Sequence, residues 1–85
     1  MNNIDTLFQA VVDGNETGAL AAAQACLQDS IPADQVMREA LIAPMSEVGR
    51  RFEAGEYYLP DLVVAARAMK SALHLLQPSL AKTGM

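Results

Sequence analysis

The chain is poor in the side chains that most enzymes work with. Its 85 residues include one cysteine and one histidine, and six Lys and Arg stand against ten Asp and Glu. A single thiol forms no internal disulfide, and no Cys or His cluster reaches zinc spacing. There is no pair of Glu-x-x-His motifs for a di-iron bundle, no glycine-rich loop for phosphate, and no Ser, His and Asp set for acyl transfer. The formal charge of −4 and pI near 4.6 exclude nucleic acid as a partner, because a phosphate backbone needs clustered cations to displace its counterions. No apolar run approaches the roughly 18 residues of a membrane helix. Residues 1–5 lack the basic start and apolar stretch of a signal peptide, so a cytoplasmic protein is expected. No stretch alternates with period two, which leaves strands out and points to an all-α chain.

What is present is helical periodicity. Ile4, Leu7, Phe8, Val11 and Val12 form an i, i+3, i+4, i+7, i+8 stripe behind Asn2 or Asn3 as N-cap. Gly14 stops this helix, and Asn15 caps a second whose apolar members, Ala19, Leu20, Ala23, Cys26 and Leu27, are mostly small. Asp29-Ser30-Ile31-Pro32 reads as a turn with Pro32 at a first helical position, and a third helix follows on Val36, Met37, Ala40 and Leu41. Pro44 lacks an N–H and crowds the turn before it, so this helix is expected to end and restart near Ile42-Ala43. Met45, Val48 and Phe52 continue the stripe. A long last helix is read from Leu62, Ala66, Met69, Leu73 and Leu76, closed by Pro78. The expected fold is a four- to five-helix bundle with a Pro-broken third helix. Its domain spans residues 1–78, and residues 79–85 open a linker.

The junction at residues 48–62 is the part that a plain bundle does not require. Gly55 ends one helix without a Cβ penalty, and Leu59-Pro60-Asp61 begins the next with Pro and Asp suited to a first turn. Phe52 lies a turn before the break and Leu59 and Leu62 a turn apart after it, so the three can face one apolar surface. One of the adjacent Tyr57 and Tyr58 must point away from the core. Such a patch, if bare, is expected to be covered by a second copy, giving a homodimer packed elbow to elbow.

Other residues read more simply. Cys26 is a small buried hydrophobe, His74 a solvated or helix-end imidazole, and Met37, Met45 and Met69 core fillers. Glu47 with Arg51, and Arg50 with Glu53, belong to a solvated charged face.

Leu41-x-x-x-Met45-x-x-Val48-Gly49-x-x-Phe52-x-x-Gly55-x-x-x-Leu59-Pro60-x-Leu62, followed by Ala65-Ala66-x-Ala68-Met69 and Leu76-x-Pro78, resembles the helical cap domain of B12-binding proteins. The likeness is to cobalamin-dependent methionine synthase and, more closely, to the small corrinoid proteins of methyltransferase systems. It covers roughly residues 33 to 80. The resemblance implies a non-catalytic cap that shields the upper face of methylcobalamin, with Phe52, Leu59 and Leu62 on the cofactor-facing positions. It implies as partners a Rossmann-like cobalamin-binding domain and methyltransferase subunits. The Asp-x-His-x-x-Gly loop that supplies the lower cobalt ligand in that family is absent here, so the chain alone is expected to bind no cobalamin. With Met1 leading straight into the first helix, the N-terminal part of a small corrinoid protein is expected rather than an internal piece of a methionine synthase. A stand-alone helical interaction module and the cap of a B12-dependent regulatory sensor are the alternatives.

Overall fold

A computed structural model describes residues 2–84, with the side chains of residues 83 and 84 left aside. Met1 and Met85, which the sequence reading placed at the chain start and in the linker, lie outside the described residues. Helices α1 (Asn3–Val12), α2 (Glu16–Gln28), α3 (Ala33–Val36), α4 (Ala43–Glu53) and α5 (Leu59–Gly84) make up the fold, and the described residues contain no strand. A π-helical segment, Met37–Ile42, joins α3 to α4, so the two form one uninterrupted rod and the bundle has four. The 26 residues of α5, at about 1.5 Å each, account for the molecule's longest dimension of 39 Å.

The helix ends follow from local chemistry. Asn2 accepts from the Asp5 N–H and Asn15 from the Gly18 N–H, each satisfying an orphan donor of a first turn. At the other ends, one backbone motif recurs three times. The Gly14 and Asn15 N–H groups donate to the carbonyls of Val11 and Ala10, those of Ser30 and Ile31 to Leu27 and Cys26, and those of Gly55 and Glu56 to Phe52 and Arg51. This Schellman arrangement needs a left-handed residue after the cap, and Gly14, Ser30 and Gly55 have φ of 69°, 62° and 81°. Gly14 is fixed by space as well, since a Cβ there would stand 2.5 Å from Val64 Cγ2. Pro32 sits one position earlier than expected, as the cap residue of α3 rather than its first helical residue.

Pro44 does not break the third helix as expected. Ahead of it the backbone widens by one residue, and the Ala43 N–H donates to the Arg38 carbonyl five residues back. The wider turn relieves the crowding that a proline ring creates in a regular α-helix, and Pro44 is buried in the first turn of α4. Nor does Pro78 close the last helix, which runs through it to Gly84. Pro78 and His74 are both exposed, so water can satisfy the carbonyl that the missing N–H leaves free.

The core is built of small side chains. Ala19, Ala22, Ala23 and Cys26 of α2 meet Ala68, Ala72 and Leu76 of α5, flanked by Leu7, Ala10 and Val11 of α1 and by Val36, Ala40 and Leu41. Alanine faces let α2 and α5 lie close together along their length. A second cluster of Val12, Val48 and Ala65 receives Phe8, Met45, Tyr57 and Leu62 at its edge. Among the described residues no polar or charged side chain is buried. The seam of α5 is rotated from the one read off the large residues: Ala65, Ala68, Ala72 and Leu76 are buried, whereas Leu62, Ala66, Met69 and Leu73 are half-buried beside it. In α2 the buried set takes in Ala22 and leaves Leu20 exposed. In both helices the alanines take the closest line of approach and displace the larger neighbours to the margins.

Replacing Leu76 by Ala empties a fully enclosed site and is expected to cost about 2–5 kcal/mol, whereas Leu73→Ala at the margin costs less. Chemical denaturation of the two variants checks the order, and the reverse would put the seam back on the larger residues.

Candidate functional site

The elbow between α4 and α5 occupies residues 54–58, and its two ends are closed by different devices. After α4, Gly55 in its left-handed conformation lets the Glu56 and Tyr57 N–H groups both donate to the Arg51 carbonyl, at 2.8 and 3.1 Å. Before α5, Asp61 Oδ2 accepts from the Tyr58 N–H at 2.8 Å, reaching back over the first turn as in a capping box. The chain between them is pinned by Tyr57. Its hydroxyl donates to the Val12 carbonyl at the end of α1 at 2.7 Å and accepts from Arg51 Nη1 at 3.3 Å. The Arg51 guanidinium carbon lies 5.3 Å from the Tyr57 ring centre.

Arg51 is held in turn by Glu47, whose Oε2 accepts from Arg51 Nε at 2.8 Å and from Arg50 Nη2 at 2.8 Å, while Oε1 accepts from Arg50 Nε at 3.0 Å. Arg50 also reaches Glu56 at 3.8 Å. The expected Glu47–Arg51 pair is therefore present, but Arg50 turns to Glu47 and Glu56 rather than to Glu53. The hydrogen bonds from Arg50 and then Arg51 pull the Glu47 carboxyl down to about 2. Glu47 in turn raises both guanidinium groups above their ordinary value.

With Tyr57 tucked inward, the next side chain goes outward. Tyr58 is 70% exposed, Leu59 66%, Val63 51% and Phe52 45%. Leu62 is half-buried and leans on Val12, Val48 and Ala65. Of the three residues singled out from sequence, Phe52 and Leu59 thus open to solvent at the elbow, and Leu62 lies at the edge where the open face meets the core. The sequence reading left open which tyrosine would face out and missed Val63, one turn beyond Leu59. The i, i+4 relation to Leu59 was the available signal for Val63. These side chains themselves are hydrocarbon and one phenol, while the carboxylates of Glu53 and Glu56 are exposed in the same stretch.

Elsewhere the chemistry is sparse. Cys26 is fully buried, and burial, with Asp29 nearby, pushes its thiol up, which fits a packing role. Among the described residues no three His, Cys, Asp or Glu gather into a metal-binding group, and no helix is long and apolar enough to cross a membrane. His74 is exposed and lines, with Arg67, Lys70 and Ser71, a groove of about 340 Å³ on α5. The Ser71 hydroxyl at its edge donates to the Glu16 carboxylate of α2.

The fold is thus a four-rod, all-helical bundle that exposes apolar side chains at the elbow between α4 and α5. The chain belongs to the B12 binding domain family, as its helical cap type: residues 4–77 match that family. It is 33% identical over its whole length to a corrinoid protein of Desulfitobacterium hafniense (strain Y51), of which it covers 39%. It is 34% identical over 79 residues to monomethylamine corrinoid protein 2 of Methanosarcina acetivorans, covering 93% of this chain and 36% of that one. The solved structure of the Methanosarcina barkeri monomethylamine corrinoid protein superposes with a TM-score of 0.87 at 32% identity, over 92% of this chain and 37% of that one. The chain therefore spans less than two-fifths of these relatives.

The elbow's electrostatics give a pH signature. Glu47 has a lowered folded-state value, so its contribution to stability is complete above the ordinary carboxylate range and is lost as pH falls from about 4.5 towards about 2. Glu47→Gln should remove that part of the acid dependence, seen as a flatter profile of unfolding free energy between those limits. Tyr57→Phe deletes both hydrogen bonds of the hydroxyl, to the Val12 carbonyl and from Arg51, and is expected to cost about 1–3 kcal/mol by chemical denaturation.

Proposed function

We propose that this chain serves as the lid of a corrinoid protein in a methyltransferase system, with Phe52, Leu59 and Leu62 turned towards the upper face of the corrin ring. The remainder of such a protein, a Rossmann-like cobalamin-binding domain, would hold the cofactor and meet the methyltransferase subunits. The observation that supports this most directly is the bare apolar elbow. Burying a large side chain is worth roughly 1.5–3 kcal/mol, and a protein seldom leaves several such groups together in water without use.

The residues present fit one face of the cofactor. Phe52, Leu59 and Leu62 bring hydrocarbon and no lone pair, so they exclude water and offer no ligand that competes for a metal. In this reading the lower ligand and the pocket for the nucleotide tail belong to the cobalamin-binding domain. Cobalamin, held by the rest of the protein, would contribute the methyl–cobalt chemistry, and Phe52 and Leu59 would keep water from its upper face. The chain is thus a non-catalytic module whose effect lies in what it keeps away.

Phe52 is 45% exposed, so Phe52→Ala should leave folding largely intact. In a cobalamin-loaded protein carrying this chain, it should also speed photolysis of the methyl–cobalt bond. Equal rates in variant and parent, at equal cofactor loading, would return Phe52 to a packing role.

In the chain taken alone the same face has no cover, and a second copy is the simplest one, because a two-fold contact lets the patch serve both partners. Sedimentation at several concentrations should show a weak dimer that Leu59→Asp weakens further. A monomer at all concentrations, or a dimer indifferent to that change, would argue against this contact.

A further inference from the structure

Five of the six Lys and Arg of this acidic chain fall into two groups, with Lys82 apart in the last turn of α5. Arg38 lies 3.5 Å from Asp34, and Arg50 and Arg51 each lie 2.8 Å from Glu47, so these three are neutralised locally. Arg67 and Lys70 enter no ion pair among the described residues, although the chain offers ten carboxylates. Both are exposed, and with His74 they line the groove of about 340 Å³. The Glu16 carboxylate of α2, reached from that groove by Ser71, already accepts from the Ser71 hydroxyl.

Their position on α5 gives the groove its meaning. Leu59, Val63, Arg67, Lys70 and His74 follow one another at intervals of 4, 4, 3 and 4, which places them on a single outward line of the helix. All five are exposed. The line is about 22 Å long at the usual rise of an α-helix. Its first turns are apolar and belong to the elbow, and its later turns are cationic. The two parts form one ridge, and a body that covers Leu59 and Val63 lies within reach of Arg67 and Lys70. More than three-fifths of each relative lies outside the part that this chain matches, which is ample length to supply that body.

We propose that Arg67 and Lys70, with His74 beside them, form an electrostatic docking strip for a carboxylate-rich surface on the cobalamin-binding part of the protein, and that this strip holds the lid closed in register over the cofactor. The inference rests on the lid reading above. The apolar elbow supplies non-directional attraction, which fixes no angle, whereas two cations set to one side fix orientation, as charged rims do at other interfaces. In a chain of net charge −4, an acidic partner is repelled on average and drawn to this strip, which sharpens the choice of orientation. Exposed ion pairs of this kind are screened within about 10 Å at 0.1 M salt, so the closed lid should loosen as salt rises.

The test uses a cobalamin-loaded corrinoid protein carrying this chain as its helical part, with methyl–cobalt photolysis at low and high salt as the readout of lid closure. The expected result is photolysis that quickens several-fold as salt rises, from about 0.02 M to 0.5 M. The double variant Arg67→Glu with Lys70→Glu should be fast already at low salt and nearly indifferent to salt. Unchanged helical circular dichroism confirms that it folds. If the double variant matched the parent while Leu59→Asp still hastened photolysis, the docking strip would be overturned and the lid reading would stand. If neither substitution altered photolysis, both would fall. A double variant that changed only self-association of the chain would assign the strip to a contact between copies and overturn the proposal.

Discussion

The close approach of α2 and α5 is the constraint on which the rest of the fold depends. It is made by Ala19, Ala22, Ala23 and Cys26 against Ala68, Ala72 and Leu76, side chains too small to hold the helices apart. A seam of alanines gains little from each residue's own burial and much from contact along a long line, which is why α5 needs its length. It also leaves no room for rings: among the described residues neither Phe nor Tyr is fully buried. The aromatic side chains are displaced to the margin, and Phe52, Tyr57 and Tyr58 collect at the elbow.

At that margin the two tyrosines divide the work. Tyr57 spends its hydroxyl on the carbonyl of Val12 and its ring on Arg51, tying the elbow to the end of α1. Because consecutive side chains cannot both follow that direction, Tyr58 is turned out beside Leu59 and Phe52. The Glu47, Arg50 and Arg51 network stiffens the last turn of α4 beneath them. These polar contacts hold the elbow apart from the core, as the proposed lid role requires.

The charges are sorted on the same principle. Where cations serve the fold they are matched to a carboxylate within 4 Å, while Arg67 and Lys70 on the outer line of α5 have no such match among the described residues. Structural and outward-facing charge are thereby separated by helix, with α4 using its arginines internally and α5 presenting its own.

The helical class, the capping asparagines, the stops at Gly14 and Gly55, and the restart at Leu59-Pro60-Asp61 were legible in the sequence, because each depends on interactions within a few residues. The cap-domain resemblance was legible for a related reason: the elbow's spacing of Phe52, Gly55, Leu59 and Leu62 is local. What the sequence did not decide was long-range. Whether a proline ends a helix depends on its surroundings, and here a widened turn before Pro44 and solvent around Pro78 let both helices continue. Hydrophobicity marked the large residues Leu62, Met69 and Leu73 as the seam of α5, but the line of closest contact fell to Ala65, Ala68 and Ala72, since only the facing helix determines which side can approach. The choice of Tyr57 over Tyr58 as the inward ring was likewise tertiary, for it required a free carbonyl at Val12, 45 residues away.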